Sequence, residues 1–267
     1  MASLLRSSVV LVSLVITFRP VQTLAVSPRF RPRWTQAVKV GLEQRLAADP
    51  DFLRKSVAEV LLAAGTQVAA ELERRGPGRM LPEIDFVAAG VLTAIYGKYS
   101  AMWKVAPTKV GVSKFQDQPR FGDLPVPTNA FQPYLLDGMT RPTVKQRLAS
   151  MLVPVAPLFR AGLVASFLGY GATALMMSIR GLLFPSYEAA TQSVNIVYAS
   201  LYTGGFMALV SNLRYQILQG IIEPQLSKIP FKFVEAVLVF LVRLLNGFLG
   251  SVMAISGMRM LGLQKLR

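Results

Sequence analysis

The chain has 267 residues, 52% hydrophobic and 16% charged, with a mean hydropathy of +0.44; a soluble domain carries roughly 25% charge, so this is the composition of an integral membrane protein. A net charge of +15 calls for an anionic partner, and basic residues flanking apolar runs fit the positive-inside bias of a membrane protein, whereas no basic stripe with interleaved aromatics offers a nucleic-acid surface. The chain has no cysteine and no histidine, which excludes disulfides, Cys or His metal sites, a thiol nucleophile and an imidazole base. After Asp137 the only acids are Glu188, Glu223 and Glu235, too few for paired-carboxylate catalysis or a hard-cation cage. No glycine-rich nucleotide loop stands between a strand and a helix. The expectation is a protein without enzymatic activity and without a cofactor.

The first segment, residues 1–36, begins "MASLLRSSVVLVSLVITFRPVQTLAVSPRFRPRW" and has no acid before Glu43. Its uncharged run between Arg6 and Arg19 is shorter than the ~20 residues a spanning helix needs, but suits a signal core. Two readings stand: a simple organelle transit peptide, or a signal-like stretch followed by an acid-free transit region from near Val26. Either way the mature chain is expected to begin after about Leu24, about two dozen residues being typical of a removed leader.

In residues 37–80, Asp49 is placed to cap a helix with Pro50 at its first position. Phe52, Val57, Val60, Leu61, Ala64, Val68 and Leu72 recur at helical spacing, Arg74 and Arg75 suit the C-terminal dipole, and Gly76 offers a stop. This predicts an amphipathic helix outside the bilayer, its apolar face packed on the rest of the protein or laid on a membrane surface or partner.

Residues 81–149 open with a marginal membrane segment, since only 86–97 is free of charge. It tilts across with Lys98 snorkelling, lies in the interface, or enters as a half-helix. Pro107, Pro119, Pro125, Pro127, Pro133 and Pro142 then predict a solvated, basic loop.

Residues 150–267 hold three stronger spans, at 161–179, 189–213 and 236–258, the last containing only Arg243 as a charge. Each is long enough to cross. The fold class is therefore all-α, an integral membrane helical bundle of three to four spans. Each span carries a face of small residues: Gly162, Ser166, Gly169 and Thr173; Ser200, Gly204, Ala208 and Ser211; Gly247, Gly250 and Ala254. Such faces serve close helix packing or line a substrate passage.

Following the second span, Asn212, Gln216, Gln219 and Glu223 fall on one narrow helical stripe, with Arg214 on the other side, where a helix end meets lipid headgroups. The third span offers Arg243 and Asn246. An arginine near mid-bilayer costs at least roughly 2.5 kcal/mol on insertion scales and calls for a partner, for which Glu223 and Glu235 are the available carboxylates. A buried structural ion pair and a polar translocation site leave the same trace.

The stretches "DPDFLRKSVAEVLLAAGTQVAAELERRG", "EIDFVAAG", "PTNAFQPYLLDGMTRPTVKQRLAS", "LVASFLGYGAT", "VSNLRYQILQGIIE" and "RLLNGFLGSVMAISGMRMLGLQ" resemble the RETICULATA-related proteins of plants and algae, Asn-Leu-Arg-Tyr-Gln being the most specific piece. The sequence departs from that pattern where "YGKYSAMWKVAP" replaces a more acidic and apolar stretch. The resemblance implies an integral, multi-pass protein of the plastid envelope, in the inner membrane, tied to plastid development and to metabolite or amino-acid supply. It supplies no catalytic residues. Two functions follow as expectations: a carrier or carrier subunit for a small anionic or amino-acid-like metabolite, with Asn212, Gln216, Gln219, Glu223, Arg243 and Asn246 at its polar site, or a non-transporting envelope scaffold or biogenesis protein. Three or four spans make a small carrier, so a homo-oligomer is expected. The distribution of Lys and Arg places the proline-rich region and the connection before the last span on the stromal face.

Overall fold

The computed structural model describes residues 33–110, 119–184 and 195–263. Nearly all of the expected targeting segment, and the opening of the expected second span, lie outside the described residues. Contacts gather Val40–Arg267 into one compact unit.

Helix α1, Arg33–Ala48, leads into α2, Phe52–Arg75, followed by a single turn, α3, Pro77–Met80, and by α4, Ile84–Val105. A small ladder pairs β1, Arg120–Phe121, with β2, Leu124–Pro125, antiparallel. Helix α5, Val144–Leu152, precedes α6, Val155–Leu183. One long rod, α7, runs over Ile196–Leu226 and contains two π-helical turns, Met207–Ser211 and Leu218–Ile222. Lys232–Met260 forms α8. Among the described residues, three stretches are long and apolar enough to cross a membrane: Val144–Leu183, Ile196–Leu226 and Lys232–Met258.

Helices α2, α4, α6, α7 and α8 stand side by side with alternating direction. At one end Phe52, Val105, Leu158 and Leu218 share a core, and Lys55 pairs with Glu223 at 3.3 Å. At the other end Arg75 pairs with Glu83, and Arg180 reaches Asp85 at 2.5 Å. The marginal segment is thus a continuous helix and not a half-helix. It is a helix of 22 residues, about 33 Å long, between α2 and α6.

Two sequence expectations are reversed here. The first concerns α2. Its polar positions Lys55, Ser56, Glu59 and Glu71 are buried, whereas Val57 and Leu61 are 58% and 64% exposed and Val68 and Leu72 also face outward. The periodicity is real but the helix is inside out, because its charged groups find partners on α4, α7 and α8 and its apolar groups do not. Nor does Asp49 cap the helix from before a first-turn Pro50. Its carboxylate accepts from the Asp51 N–H at 3.0 Å and from Lys55 Nζ at 2.6 Å, and the helix starts at Phe52. Gly76 does end it, with φ +74° and its N–H on the Leu72 carbonyl at 2.9 Å.

The second reversal concerns the proline-rich region, which is a folded cap and not a solvated loop. Val126, Asn129, Ala130, Gln132, Leu135 and Leu136 are buried, and Gln132 Oε1 accepts from the N–H groups of Thr108 and Asn129. Thr143 and Gln146 close a capping box at the start of α5, and Gln146 Nε2 donates to the Pro125 carbonyl at 2.9 Å, which ties that helix to the cap. On the same side Arg45 lies 4.0 Å over the Trp103 ring and donates to the Trp103 carbonyl. Burial pulls its guanidinium down to about 10, with Tyr99 opposing.

Candidate functional site

The residues singled out in sequence divide into three groups. Arg243 is 1% exposed and sits between two carboxylates, Glu223 Oε1 at 2.6 Å and Glu59 Oε2 at 2.8 Å. Tyr215 donates its hydroxyl to the other Glu59 oxygen, and Lys55 bridges Glu223 at 3.3 Å to Asp49 at 2.6 Å. Arg243 thus has a carboxylate from α2 that sequence reasoning did not consider. The second carboxylate expected for it, Glu235, instead takes Lys232 at 2.9 Å and lies 3.8 Å from Arg54.

The amide stripe is a set of clamps. Asn212 Nδ2 donates to the Met151 carbonyl at 2.8 Å, Gln219 Nε2 to the Met102 carbonyl at 3.1 Å, and Gln216 Oε1 accepts from the Ala130 N–H at 2.8 Å. Asn129 Nδ2 completes the contact by donating to the carbonyls of Val105 and Gln216. Asn212, Gln216 and Gln219 therefore fasten α7 to α4, α5 and the cap. These three amides are taken up by fold contacts that no helical wheel reveals.

The third group surrounds a cavity of about 410 Å³, within the usual span of small-molecule sites. Its walls come from all five long helices, including Ser166, Gly169 and Thr173 of α6, Thr203 and Ser211 of α7, and Gly247, Gly250 and Ala254 of α8. The small-residue faces pack the helices in one part and line the cavity in another. At Gly162 and Gly204 they pack, a Cβ at Gly162 lying only 2.8 Å from the Gly204 Cα. Further along they withdraw from one another and leave space.

Arg214 does not reach toward headgroups. It turns inward, bonds Asn246 through its carbonyl and, at 2.8 Å, its side-chain oxygen, and occupies the room that a Cβ at Gly250 would take. Lys98 likewise does not snorkel. Its Nζ donates to Thr66 Oγ1 at 2.9 Å and lies 3.7 Å from the Cβ position of Gly247. Both cations line the cavity. Sequence reasoning missed Lys98 as a site residue because it read this lysine as the end of a marginal segment. The polar positions of α2, Lys55, Glu59, Gln67, Glu71 and Arg75, recur at intervals of four and eight residues and were the available signal for Glu59.

These features define a class: a helical bundle with, among the described residues, three helices of membrane-crossing length and composition, an interior ion-pair network and a cavity on which two cations, Lys98 and Arg214, stand without a carboxylate of their own. The sequence model of the family described as Protein RETICULATA-related matches residues 44–221, and the chain belongs to that family. Protein RETICULATA-RELATED 4, chloroplastic, of Arabidopsis thaliana is 34% identical over 238 residues, covering 84% of this chain and 59% of the relative. Protein RETICULATA-RELATED 5, chloroplastic, of the same plant is 30% identical over 239 residues, covering 84% of this chain and 32% of the relative. Protein RETICULATA, chloroplastic, is 28% identical over 232 residues, covering 84% of this chain and 52% of the relative. The chain therefore spans between about a third and three fifths of the length of these three relatives. No solved structure matches it.

Proposed function

We propose that this chain is a multi-pass protein of the chloroplast envelope, in the inner membrane, and acts as a carrier or carrier subunit for a small anionic or amino-acid-like metabolite that supports plastid development. The chloroplastic relatives supply the compartment, and the membrane reading rests on three apolar helices of sufficient length. Helix α2 joins them as a lipid-facing member, since its outward face is apolar and its inward face is charged. The observation that carries the transport reading is the cavity of about 410 Å³ enclosed by small-residue faces of α6, α7 and α8. Five long helices remain few for a carrier, and assembly of several copies in the lipid bilayer fits that size.

Reconstitution tests this. Purified protein in vesicles is expected to take up one class within a panel of organic anions and amino acids. Ala254→Trp, which fills the cavity from α8, is expected to abolish uptake while leaving insertion intact. Inserted, monodisperse protein that moves no member of the panel overturns the carrier reading. The scaffold reading draws on the amide stripe, whose members Asn212, Gln216 and Gln219 serve fold contacts.

A further inference from the structure

We propose that Lys98 and Arg214 form the seat of a singly charged oxyanion in the middle of the bundle; the inference rests on the reading above in taking the cavity as the ligand site, and it names the chemistry of the ligand. The argument begins with charge. Lys55, Arg75 and Arg243 are buried cations, and each holds a carboxylate within 3.3 Å. Lys98 and Arg214 hold only neutral partners, the Thr66 hydroxyl and the Asn246 oxygens. Glu59 is the carboxylate whose charge both of them feel, and it is already engaged by Arg243 and Tyr215. Asp49, Glu59 and Glu223 against Lys55 and Arg243 make the neighbouring cluster one charge negative. Adding Lys98 and Arg214 leaves those seven groups one charge positive; Arg75, a third cation of the cavity wall, is held by Glu71 and Glu83, so the charge without a carboxylate of its own lies locally at Lys98 and Arg214. A buried charge without a partner is expensive, so a site of this kind favours one bound negative charge.

Geometry agrees with charge. Gly247 and Gly250 stand one turn apart on α8, and the absence of side chains there lets the two cations lie against the same wall. Arg214 Nε and Ser166 Oγ are buried without a hydrogen-bond partner, and Lys98, with three donors, uses one on Thr66. Donors on α4, α6 and α7 thus remain for an oxyanion bound between Lys98 and Arg214. Beyond them the cavity continues past Ala254, Phe206 and Met258, which suits an uncharged, partly apolar remainder. A carboxylate and the phosphodiester of an anionic lipid headgroup share the required single charge.

The full chain, purified in a neutral detergent, is titrated with hexanoate and with succinate, with binding read by calorimetry and thermal shift. Saturable binding of hexanoate in preference to the doubly charged succinate is expected, weakened roughly tenfold or more by Lys98→Met and by Arg214→Gln, as loss of a charge-assisted hydrogen bond implies. Lys98→Arg retains it. A second arm compares nanodiscs of phosphatidylcholine with and without phosphatidylglycerol. Competition by phosphatidylglycerol that depends on Lys98 and Arg214 supports the seat and identifies a lipid as its ligand; binding of the soluble acid that phosphatidylglycerol leaves unchanged supports it and identifies a metabolite. Absence of saturable binding by folded wild-type protein in both arms overturns the proposal, whatever the variants do. Uptake in vesicles that survives Lys98→Met and Arg214→Gln overturns it while leaving the carrier reading standing. Binding without uptake does the reverse.

Discussion

Arg243 shows how far a single side chain organises this interior. It separates Glu59 from Glu223, so its removal leaves Glu59 with only the Tyr215 hydroxyl and Glu223 with only Lys55, whereas removal of either carboxylate leaves the arginine with the other. Breaking a buried pair by truncating one partner costs about 3–5 kcal/mol. Arg243→Ala is therefore expected to destabilise more than Glu59→Gln, and Glu59→Gln at least as much as Glu223→Gln, whose remaining partner Lys55 keeps Asp49. Thermal unfolding of the three variants in detergent checks the order, and equal midpoints for Arg243→Ala and Glu223→Gln would contradict it. The same reasoning sorts the polar stripe of α7. Asn212, Gln216, Gln219 and Glu223 were legible on a helical wheel because a 3.6-residue period is local information. Their partners were not, since Met151, Ala130 and Met102 come from segments whose placement depends on the folding of the whole cap. Six prolines announce that a stretch is not helical. They do not reveal that it buries Asn129 and docks on α7.

At the scale of elements, the contact of α6 with α7 is set by two glycines. A Cβ at Gly162 meets the Gly204 Cα and the Thr203 carbonyl, each at 2.8 Å, and backbone yields less than a side chain does. Gly162→Ala is expected to cost about 1–3 kcal/mol as overpacking. Gly171, on the same helix with nothing within 4 Å of its Cβ position, is the control: Gly171→Ala is expected to be neutral or to stabilise by up to about 1 kcal/mol, through helix propensity. Melting temperatures of the two variants, measured side by side, decide it, and a fall for both would remove close packing as the explanation. Helix α2 gives the complementary lesson. Its period was legible and its direction was not, because the rule that apolar residues face inward assumes water outside. Where lipid is outside, Leu61 and Val57 gain nothing by turning in, and Glu59 and Lys55 gain a great deal.

For the whole molecule, the cap joins α4, α5 and α7, and the proline-rich region expected to lie on the stromal face is part of it. The absence of native cysteine makes the arrangement measurable with single introduced thiols. Met139 in the cap and Leu182 at the far end of α6 are 80% and 83% exposed. In intact plastids stripped of the outer membrane, Leu182→Cys is expected to react with an impermeant maleimide, Met139→Cys only after lysis, and Leu61→Cys in neither state, because its surroundings are acyl chains. Labelling of Met139→Cys before lysis would reverse the orientation, and labelling of Leu61→Cys would remove α2 from the membrane. The inside-out character of α2 also bears on how the protein is made. On insertion scales a charged residue at the centre of a helix costs roughly 2.5–3.5 kcal/mol, so a segment bearing Lys55, Glu59, Glu71 and Arg75 has no reason to leave water by itself. Its partner Arg243 is synthesised 184 residues after Glu59. On the proposed membrane reading, α2 therefore enters the bundle only once α7 and α8 are there to receive its charges, so the order of assembly differs from the order of synthesis.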